Sequence, residues 1–215
     1  MILPNAFAIS TQKDVAPLLL EGLDTLQSQS DFIKIATVAD ERIVLLQTDK
    51  QQLRELQHTS LPQSPLGIAY HFPKYAVSHL LQFHSSEEVA LVYTGQLAKA
   101  PNARYELQTL GYDFKGQSDG EIVLRFLNRY LDIEVGISPL EATNLILSRL
   151  EGSKFAIMAL FAKPQPLLLA ASCQEGALAI GVSNNSLYLS FETTILKKLC
   201  NPVMQLEKGS PILLH

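Results

Sequence analysis

The stretch P-N-A-R-Y-E-L-Q-T-L-G-Y-D-F-K-G-Q-S-D-G-E-I-V-L-R-F-L (residues 101–127) predicts two helices separated by a glycine stop and a turn. Asn102 is a residue type that caps a helix N-terminus, and Gly111 is the usual residue just past a helix end. Ser118, with Glu121 three positions on, has the spacing of a capping box, which opens the second helix. The strand predicted shortly before this stretch, Val89–Gly95, therefore leads into a helix, a turn and a second helix.

The residues on either side of this unit predict a small polar pocket. Val89–Gly95 reads as a buried strand that ends in Thr94 and Gly95, and Asp119 falls in the first turn of the second helix. A carboxylate there meets the positive end of the helix dipole, so a role in helix capping alone also explains Asp119 and Glu121. The spacing leaves both interpretations open.

The sequence of these blocks resembles the glutaminase domain of glucosamine-6-phosphate synthase, a class II glutamine amidotransferase of the N-terminal nucleophile hydrolase type. The runs Y-T-G-Q-L, L-Q-T-L-G-Y-D-F and S-D-G-E-I-V match, without a gap, the family's H-N-G, R-G-Y and T-D-T-E-V. Three further blocks match and occur in the family's order along the chain, at residues 14–23, 67–70 and 168–181. The resemblance therefore covers essentially the whole chain. We therefore expect one glutamine amidotransferase type 2-like domain over residues 1–215.

Composition is consistent with one large folded domain. The 215 residues are 47% hydrophobic and 18% charged, which is enough apolar material for a substantial core. A net charge of −4 provides no general basic field for nucleic acid. No apolar run approaches the roughly 20 residues of a membrane-spanning helix, and the N-terminus lacks the basic region of a signal peptide. We predict a cytoplasmic protein with two free thiols, no membrane insertion and no cofactor.

The strands of the second half predict the architecture independently of any family. The runs K-F-A-I-M-A-L-F-A (154–162) and P-L-L-L-A-A-S (166–172) are continuously apolar, as in strands buried on both faces. Short turns make neighbouring strands antiparallel, so a second sheet must cover one face and helices the other. We predict an α+β fold, a four-layer α-β-β-α sandwich of two stacked antiparallel sheets, which the resemblance also implies. Helices are expected near residues 14–27 and 138–151, and an irregular segment over 73–86.

The position that the resemblance gives to the catalytic nucleophile is occupied by Leu3 or Pro4. The family uses a cysteine there, whose own α-amino group acts as the base. Ser10 and Thr11 are the first hydroxyl side chains, but they lie beyond the first strand. We therefore expect no catalytic residue in this chain.

The substrate clamp implied by the resemblance is also altered. Phe72 stands where the family has an arginine that holds the glutamine carboxylate, and Lys74 is a flexible point charge without the arginine fork. Thr94 replaces the oxyanion asparagine, whereas Gly95 keeps its backbone N–H and Asp119 matches the acid that holds the substrate's amino group. The resemblance thus implies a vestigial pocket of Thr94, Gly95 and Asp119.

Three histidines are close enough in sequence to be considered as a metal site. His71, His79 and His84 lie in one segment, but their spacing fits no common zinc site, so we predict no metal. Two functions remain open. The first is a non-catalytic glutaminase-like domain that acts as a binding or scaffolding subunit with a protein partner. The alternative is a divergent glutaminase domain of a glucosamine-6-phosphate synthase; whether the remnant pocket takes a small molecule stays open.

Overall fold

A computed structural model describes residues 5–26, 32–55, 61–73, 81–133, 137–174 and 176–214. These residues form two antiparallel sheets. Sheet A has seven strands, β1 (Asn5–Ser10), β2 (Phe32–Ala39), β3 (Arg42–Thr48), β4 (Leu66–Phe72), β9 (Leu178–Ser183), β10 (Ser186–Ser190) and β11 (Val203–Leu206). Their spatial order is β11-β9-β10-β1-β4-β2-β3. The N-terminal strand β1 therefore lies at the centre of the sheet, between β10 and β4.

Sheet B is built from the middle and the end of the chain. Its five strands are β5 (Gln82–Ser85), β6 (Val89–Gln96), β7 (Lys154–Phe161), β8 (Leu167–Ser172) and β12 (Gly209–Leu214). They are ordered β12-β8-β7-β6-β5, so the short strand β5 is an edge strand beside β6. The apolar strands β7 and β8 are buried along almost their whole length, as the continuous apolar sequence predicted.

Three apolar cores define four layers. The core between the sheets contains side chains from both of them, among them Ile68 and Tyr70 of β4, Phe83 of β5 and Met158 of β7. A second core joins the outer face of sheet B to three helices, α3 (Ala100–Thr109), α4 (Asp119–Ile133) and α5 (Pro139–Arg149). A third joins the outer face of sheet A to α1 (Ala16–Thr25) and α6 (Thr193–Leu199). Full burial of one such side chain contributes roughly 1.5–3 kcal/mol. The predicted α-β-β-α sandwich is confirmed.

Local signals in the sequence account for several element ends. The hairpin β2–β3 turns at Asp40 and Glu41, which both have positive φ, as a type I′ turn requires. The hairpin β9–β10 turns in the same way at Asn184 and Asn185. At the start of α5, Ser138 and Glu141 form the complete capping box. A sixth helix, α2 (Lys50–Glu55), follows β3.

Two expectations about local structure are wrong within the described residues. Helix α3 begins at Ala100 with Lys99 before it, so Asn102 lies inside the helix and does not cap it. The segment over 73–86 was expected to be irregular, but Gln82–Ser85 forms β5, because pairing with β6 satisfies its backbone groups. Residues 74–80 lie outside the described part. Helix α1 ends at Thr25, and Asp14 accepts a hydrogen bond from the N–H of Ala16 through Oδ1 at 3.2 Å.

Candidate substrate pocket

The end of β6 is shaped by a glycine that no other residue could replace without movement. Gly95 has a φ of +116°, and it lies opposite Phe155 of β7. A Cβ atom at this position would lie 2.2 Å from the carbonyl oxygen of Lys154 and 2.6 Å from the Cα of Phe155. Both contacts are with backbone, so they cannot be relieved by rotating a side chain. Glycine is therefore required for β6 and β7 to stay paired here.

Asp119 is held against the segment that follows Gly95. Its Oδ2 accepts a hydrogen bond from the backbone N–H of Leu97 at 2.9 Å. Asp119 is also the first residue of α4, where its charge is stabilised by the helix dipole. The structure therefore brings the helix N-terminus to the end of β6, where Thr94 and Gly95 lie. Asp119 both fixes this junction and carries a partly exposed carboxylate.

Two side chains of strand β5 make hydrogen bonds with the start of α4. The Oε1 of Gln82 accepts a hydrogen bond from the N–H of Gly120 at 2.9 Å, and the Nε2 of His84 lies 2.8 Å from the Oγ of Ser118. Gly120 packs so closely that a Cβ would lie 2.9 Å from atoms of Gln82, His84 and Tyr93. Sequence reasoning missed Gln82 and His84 as members of the site. Their alternation around Phe83 in Q-F-H-S was the available signal.

The electrostatics of His84 favour its neutral form. Burial, with smaller contributions from Lys34 and Arg125, lowers the pKa of His84 to about 4, while Glu121 acts in the opposite direction. The Oγ of Ser118 already accepts a hydrogen bond from the N–H of Glu121 at 3.3 Å. The Ser118 hydroxyl can thus donate to Nε2 of a neutral imidazole whose proton is on Nδ1. This arrangement caps α4 with an uncharged pair.

Glu121 is structural and does not complete a capping box with Ser118. Its two carboxylate oxygens accept hydrogen bonds from the N–H groups of Lys115, at 2.9 Å, and Gly116, at 3.2 Å. Arg104 donates to the carbonyl oxygens of Gly116 and Ser118 from the neighbouring helix α3. These bonds fix the loop between α3 and α4. The first half of the predicted box is present, and the second half is replaced by this loop contact.

The place assigned to the family's arginine is part of an aromatic cluster. Phe72 is the last residue of β4 and lies opposite Phe32 of β2. Its ring stacks on that of Tyr70 with the centroids 6.3 Å apart, and Tyr70 contacts Phe83 of sheet B at 5.7 Å. The hydroxyl of Tyr70 donates to the carbonyl oxygen of Leu81 at 3.1 Å. We call Phe32, Lys34, Tyr70, Phe72 and Phe83 together the aromatic mouth.

Several predicted positions are not placed by the structure. Leu3 and Pro4, assigned to the nucleophile, lie outside the described residues, as do Lys74 and His79. The other two histidines of the tested metal site are in different sheets, His71 in β4 and His84 in β5. Within the described ranges no group of three or more His, Cys, Asp or Glu side chains could hold a metal ion.

Each of the two thiols follows the end of a helix or a strand. Cys200 directly follows α6, and its Sγ donates to the carbonyl oxygen of Leu196 at 3.3 Å. Cys173 follows β8, and its N–H donates to the carbonyl oxygen of Phe155. Burial raises the pKa of each thiol, which keeps both in the less reactive protonated form. A further buried group is Tyr93, whose hydroxyl has no hydrogen-bond partner in the described part of the chain.

The helices carry no sign of a membrane span: across the described ranges, none is both long enough and apolar enough to cross a bilayer.

Comparison with known proteins agrees with the fold and with the family that the sequence resembles. The family model described as a glutamine amidotransferase domain matches residues 80–198, more than half of the chain. Among solved structures, the glutamine phosphoribosylpyrophosphate amidotransferase of Bacillus subtilis is similar in fold, with a TM-score of 0.72 at 17% identity. That match covers 97% of this chain and 46% of the other.

Curated relatives include glutamine–fructose-6-phosphate aminotransferases (isomerizing). That of Bacteroides thetaiotaomicron is 25% identical over 202 residues, which cover 90% of this chain and 32% of the relative. That of Bradyrhizobium diazoefficiens is 35% identical over 126 residues, covering 59% of this chain and 20% of the relative. The chain thus spans about a third or less of the length of these enzymes. Because the family model matches residues 80–198, from β5 to α6, the chain belongs to the glutamine amidotransferase domain family.

Proposed function

We propose that this chain is a glutamine amidotransferase-type domain that does not hydrolyse glutamine and acts by binding, as a subunit or regulator of a larger protein assembly. The observation that carries the proposal is the sequence directly before β1. Residues 1–4 are Met, Ile, Leu and Pro, so neither a thiol nor a hydroxyl stands where the resemblance assigns the nucleophile, Leu3 or Pro4. Residues further upstream could not fill this position, because it adjoins the strand.

The two cysteines offer no substitute nucleophile. Cys173 and Cys200 follow β8 and α6, and burial raises the pKa of both. A nucleophilic cysteine needs the opposite, a pKa lowered by a cation, a helix N-terminus or a metal. This supports a domain without covalent catalysis.

The remaining catalytic positions support the same proposal. Phe72 provides no fork for a carboxylate and packs in an aromatic cluster, and Thr94 carries a hydroxyl in place of the amide N–H of an asparagine. Gly95 and Asp119 are retained, but each has a structural reason to be there. Gly95 allows β6 and β7 to pair, and Asp119 joins α4 to Leu97. A fold retained for such reasons implies a role carried by its surface.

A second candidate is favoured by the comparisons. Curated relatives that match most of this chain are glutamine–fructose-6-phosphate aminotransferases, and the domain could be a divergent glutaminase unit of such an enzyme. The junction between Asp119 and the end of β6 would then hold the amino group of glutamine. This candidate requires a nucleophile other than the family's cysteine.

Ammonia release from L-glutamine separates the two candidates. We expect the purified protein to release no ammonia above the blank, and Asp119→Asn and the exposed control Asp113→Asn to be equally inactive. Turnover that is retained in Asp113→Asn and lost in Asp119→Asn would contradict the non-catalytic proposal and support the divergent glutaminase.

The assembly role needs its own measurement. A tagged chain expressed in its source cells should elute, after gentle lysis, at a mass well above that of the single chain in size-exclusion chromatography with light scattering. Elution at the mass of the single chain at physiological concentration would contradict the subunit role, whatever the ammonia assay shows.

A further inference from the structure

We propose that Lys34 and the rings around it form a binding site for a small organic carboxylate at the aromatic mouth. Lys34 lies near the start of β2, and its side chain points towards the space between the two sheets. Its Nζ is 5.2 Å from the ring centre of Phe32 and 4.9 Å from that of Phe83. The ammonium therefore sits between one ring of sheet A and one ring of sheet B. The site is independent of whether the chain hydrolyses glutamine.

The strand register builds the walls of this site. Lys34 is opposite Tyr70, and Phe32 is opposite Phe72, so all four side chains lie on one face of the β2–β4 pair. Phe83 of sheet B closes the cluster through its contact with Tyr70. The result is a cation surrounded by flat apolar surfaces at the end of the inter-sheet space.

The positive charge of Lys34 contacts aromatic rings but is not neutralised by a carboxylate of the described residues. Of the carboxylates in the described ranges, none lies within ion-pair distance of its Nζ; the ion pairs there involve Arg125, Arg149 and Lys163. Contact with aromatic rings attracts a cation but leaves its net charge in place. A half-buried ammonium is stabilised by a nearby anion, which raises its pKa. Burial instead lowers the pKa of Lys34, as expected for an ammonium without such an anion.

The neighbouring charged groups also favour an incoming anion. Three charged side chains act on the neighbouring His84: the cations Lys34 and Arg125 and the anion Glu121. Glu121 is already engaged, because its oxygens accept two backbone hydrogen bonds and one pairs with Arg125 at 3.7 Å. His84 itself stays neutral near pH 7. The Lys34 ammonium is thus available to a ligand anion.

The geometry selects the class of ligand. A single ammonium is a point charge that matches one carboxylate, and the rings favour a flat, apolar body attached to it. Lys34 also lies diagonally across from Phe72, the position that lacks the family's arginine. The positive charge absent from β4 is therefore present on the adjoining strand.

Benzoate tests the site, and benzamide is its uncharged counterpart of the same shape. The chain is labelled with 13C at the lysine Cε, and each compound is titrated into the wild-type protein. We expect benzoate to shift the Lys34 resonance saturably and to raise the pKa of Lys34, and benzamide to bind at least about tenfold more weakly. The resonance of Lys197, an exposed lysine on α6, should not move.

Two variants complete the test. Lys34→Met keeps the length of the side chain and should reduce benzoate affinity at least about tenfold, while Lys34→Arg, which keeps the charge, should retain most of it. The matched control Lys197→Met should bind as the wild type does. Equal shifts at Lys34 and Lys197, equal affinity for benzamide, or unchanged binding by a folded Lys34→Met would overturn the proposal. If Lys34→Met does not fold, the wild-type titration decides alone.

Discussion

The two faces of the short strand β5 have opposite chemistry. On one face, Gln82 and His84 make polar contacts with the first turn of α4, where Asp119 lies. On the other face, Phe83 joins the aromatic mouth with Tyr70 and Lys34. The polar face fixes the start of α4, where Asp119 binds the N–H of Leu97. The aromatic face adjoins Phe72 of β4 through Tyr70. One short strand thus positions a helix N-terminus with its polar side chains and joins the two sheets with its aromatic side chain.

The largest expected effect is on the polar side, at Gly95. Gly95→Ala places a Cβ against the backbone of Lys154 and Phe155 at a φ of +116°, so β6 and β7 must separate. We expect a loss of about 4 kcal/mol in the free energy of unfolding, measured by urea denaturation.

Gly111→Ala is the matched control for this change. Gly111 also has a positive φ, +89°, but no atom lies within 4 Å of the place that its Cβ would take, so only the local backbone cost of about 1–2 kcal/mol applies. Equal losses in the two variants would show that the contact between β6 and β7 is not what requires glycine at residue 95.

The aromatic side is expected to respond to Phe83→Ala. The Phe83 side chain is 7% exposed and contacts both Tyr70 and Lys34, so its removal leaves a cavity between the sheets. We expect a loss of about 3 kcal/mol in unfolding free energy. Tyr105→Ala, at a ring that is 71% exposed, should change stability by no more than about 0.5 kcal/mol. A similarly small effect of Phe83→Ala would mean that the mouth is not packed as described.

The smallest expected effect is the pH dependence due to His84. The pKa of His84 is about 4 in the folded chain, below its ordinary value of 6.5, so between these values the unfolded chain binds the proton first. The stability due to neutral His84 is complete above pH 6.5 and is lost as the pH falls to about 4. We expect this loss to amount to about 2–3 kcal/mol, since each unit of pKa difference is worth about 1.4 kcal/mol.

His84→Gln isolates this contribution, since glutamine retains hydrogen-bonding groups but does not titrate. The difference in unfolding free energy between wild type and variant, measured at several pH values, should shrink or change sign as the pH falls from 6.5 to 4. Parallel stability curves would contradict a buried, neutral His84 at the start of α4.

Features that are set by a few neighbouring residues can be predicted from a sequence. The helix expected near residues 138–151 begins with the capping box of Ser138 and Glu141, and the strand predicted over Val89–Gly95 is β6, which extends one residue further. The non-alternating strands β7 and β8 also specified that both sheet faces are covered. The fold class followed from these local patterns and from the resemblance.

Contacts between distant residues could not be predicted in the same way. Glu121 has capping-box spacing, yet its carboxylate binds the loop at Lys115 and Gly116, because that loop folds back onto α4. Lys34 alternates with apolar residues as in any strand, and its ring partner Phe83 lies in the other sheet. Only the stacking of the sheets reveals that a cation and four rings meet.

The central position of β1 in sheet A constrains the order in which the protein can fold as it is synthesised. Phe7 pairs with Ser190 of β10, so one edge of the first strand stays open until β10 has been synthesised. At ribosomal rates this delay is on the order of 10–30 s, during which an apolar strand is exposed to wrong partners. Sheet B, from β5 to β8, has no need of β1 and can assemble earlier. A released fragment of the chain that ends before residue 186 should therefore show a protease-resistant sheet B and a cleavable N-terminal strand.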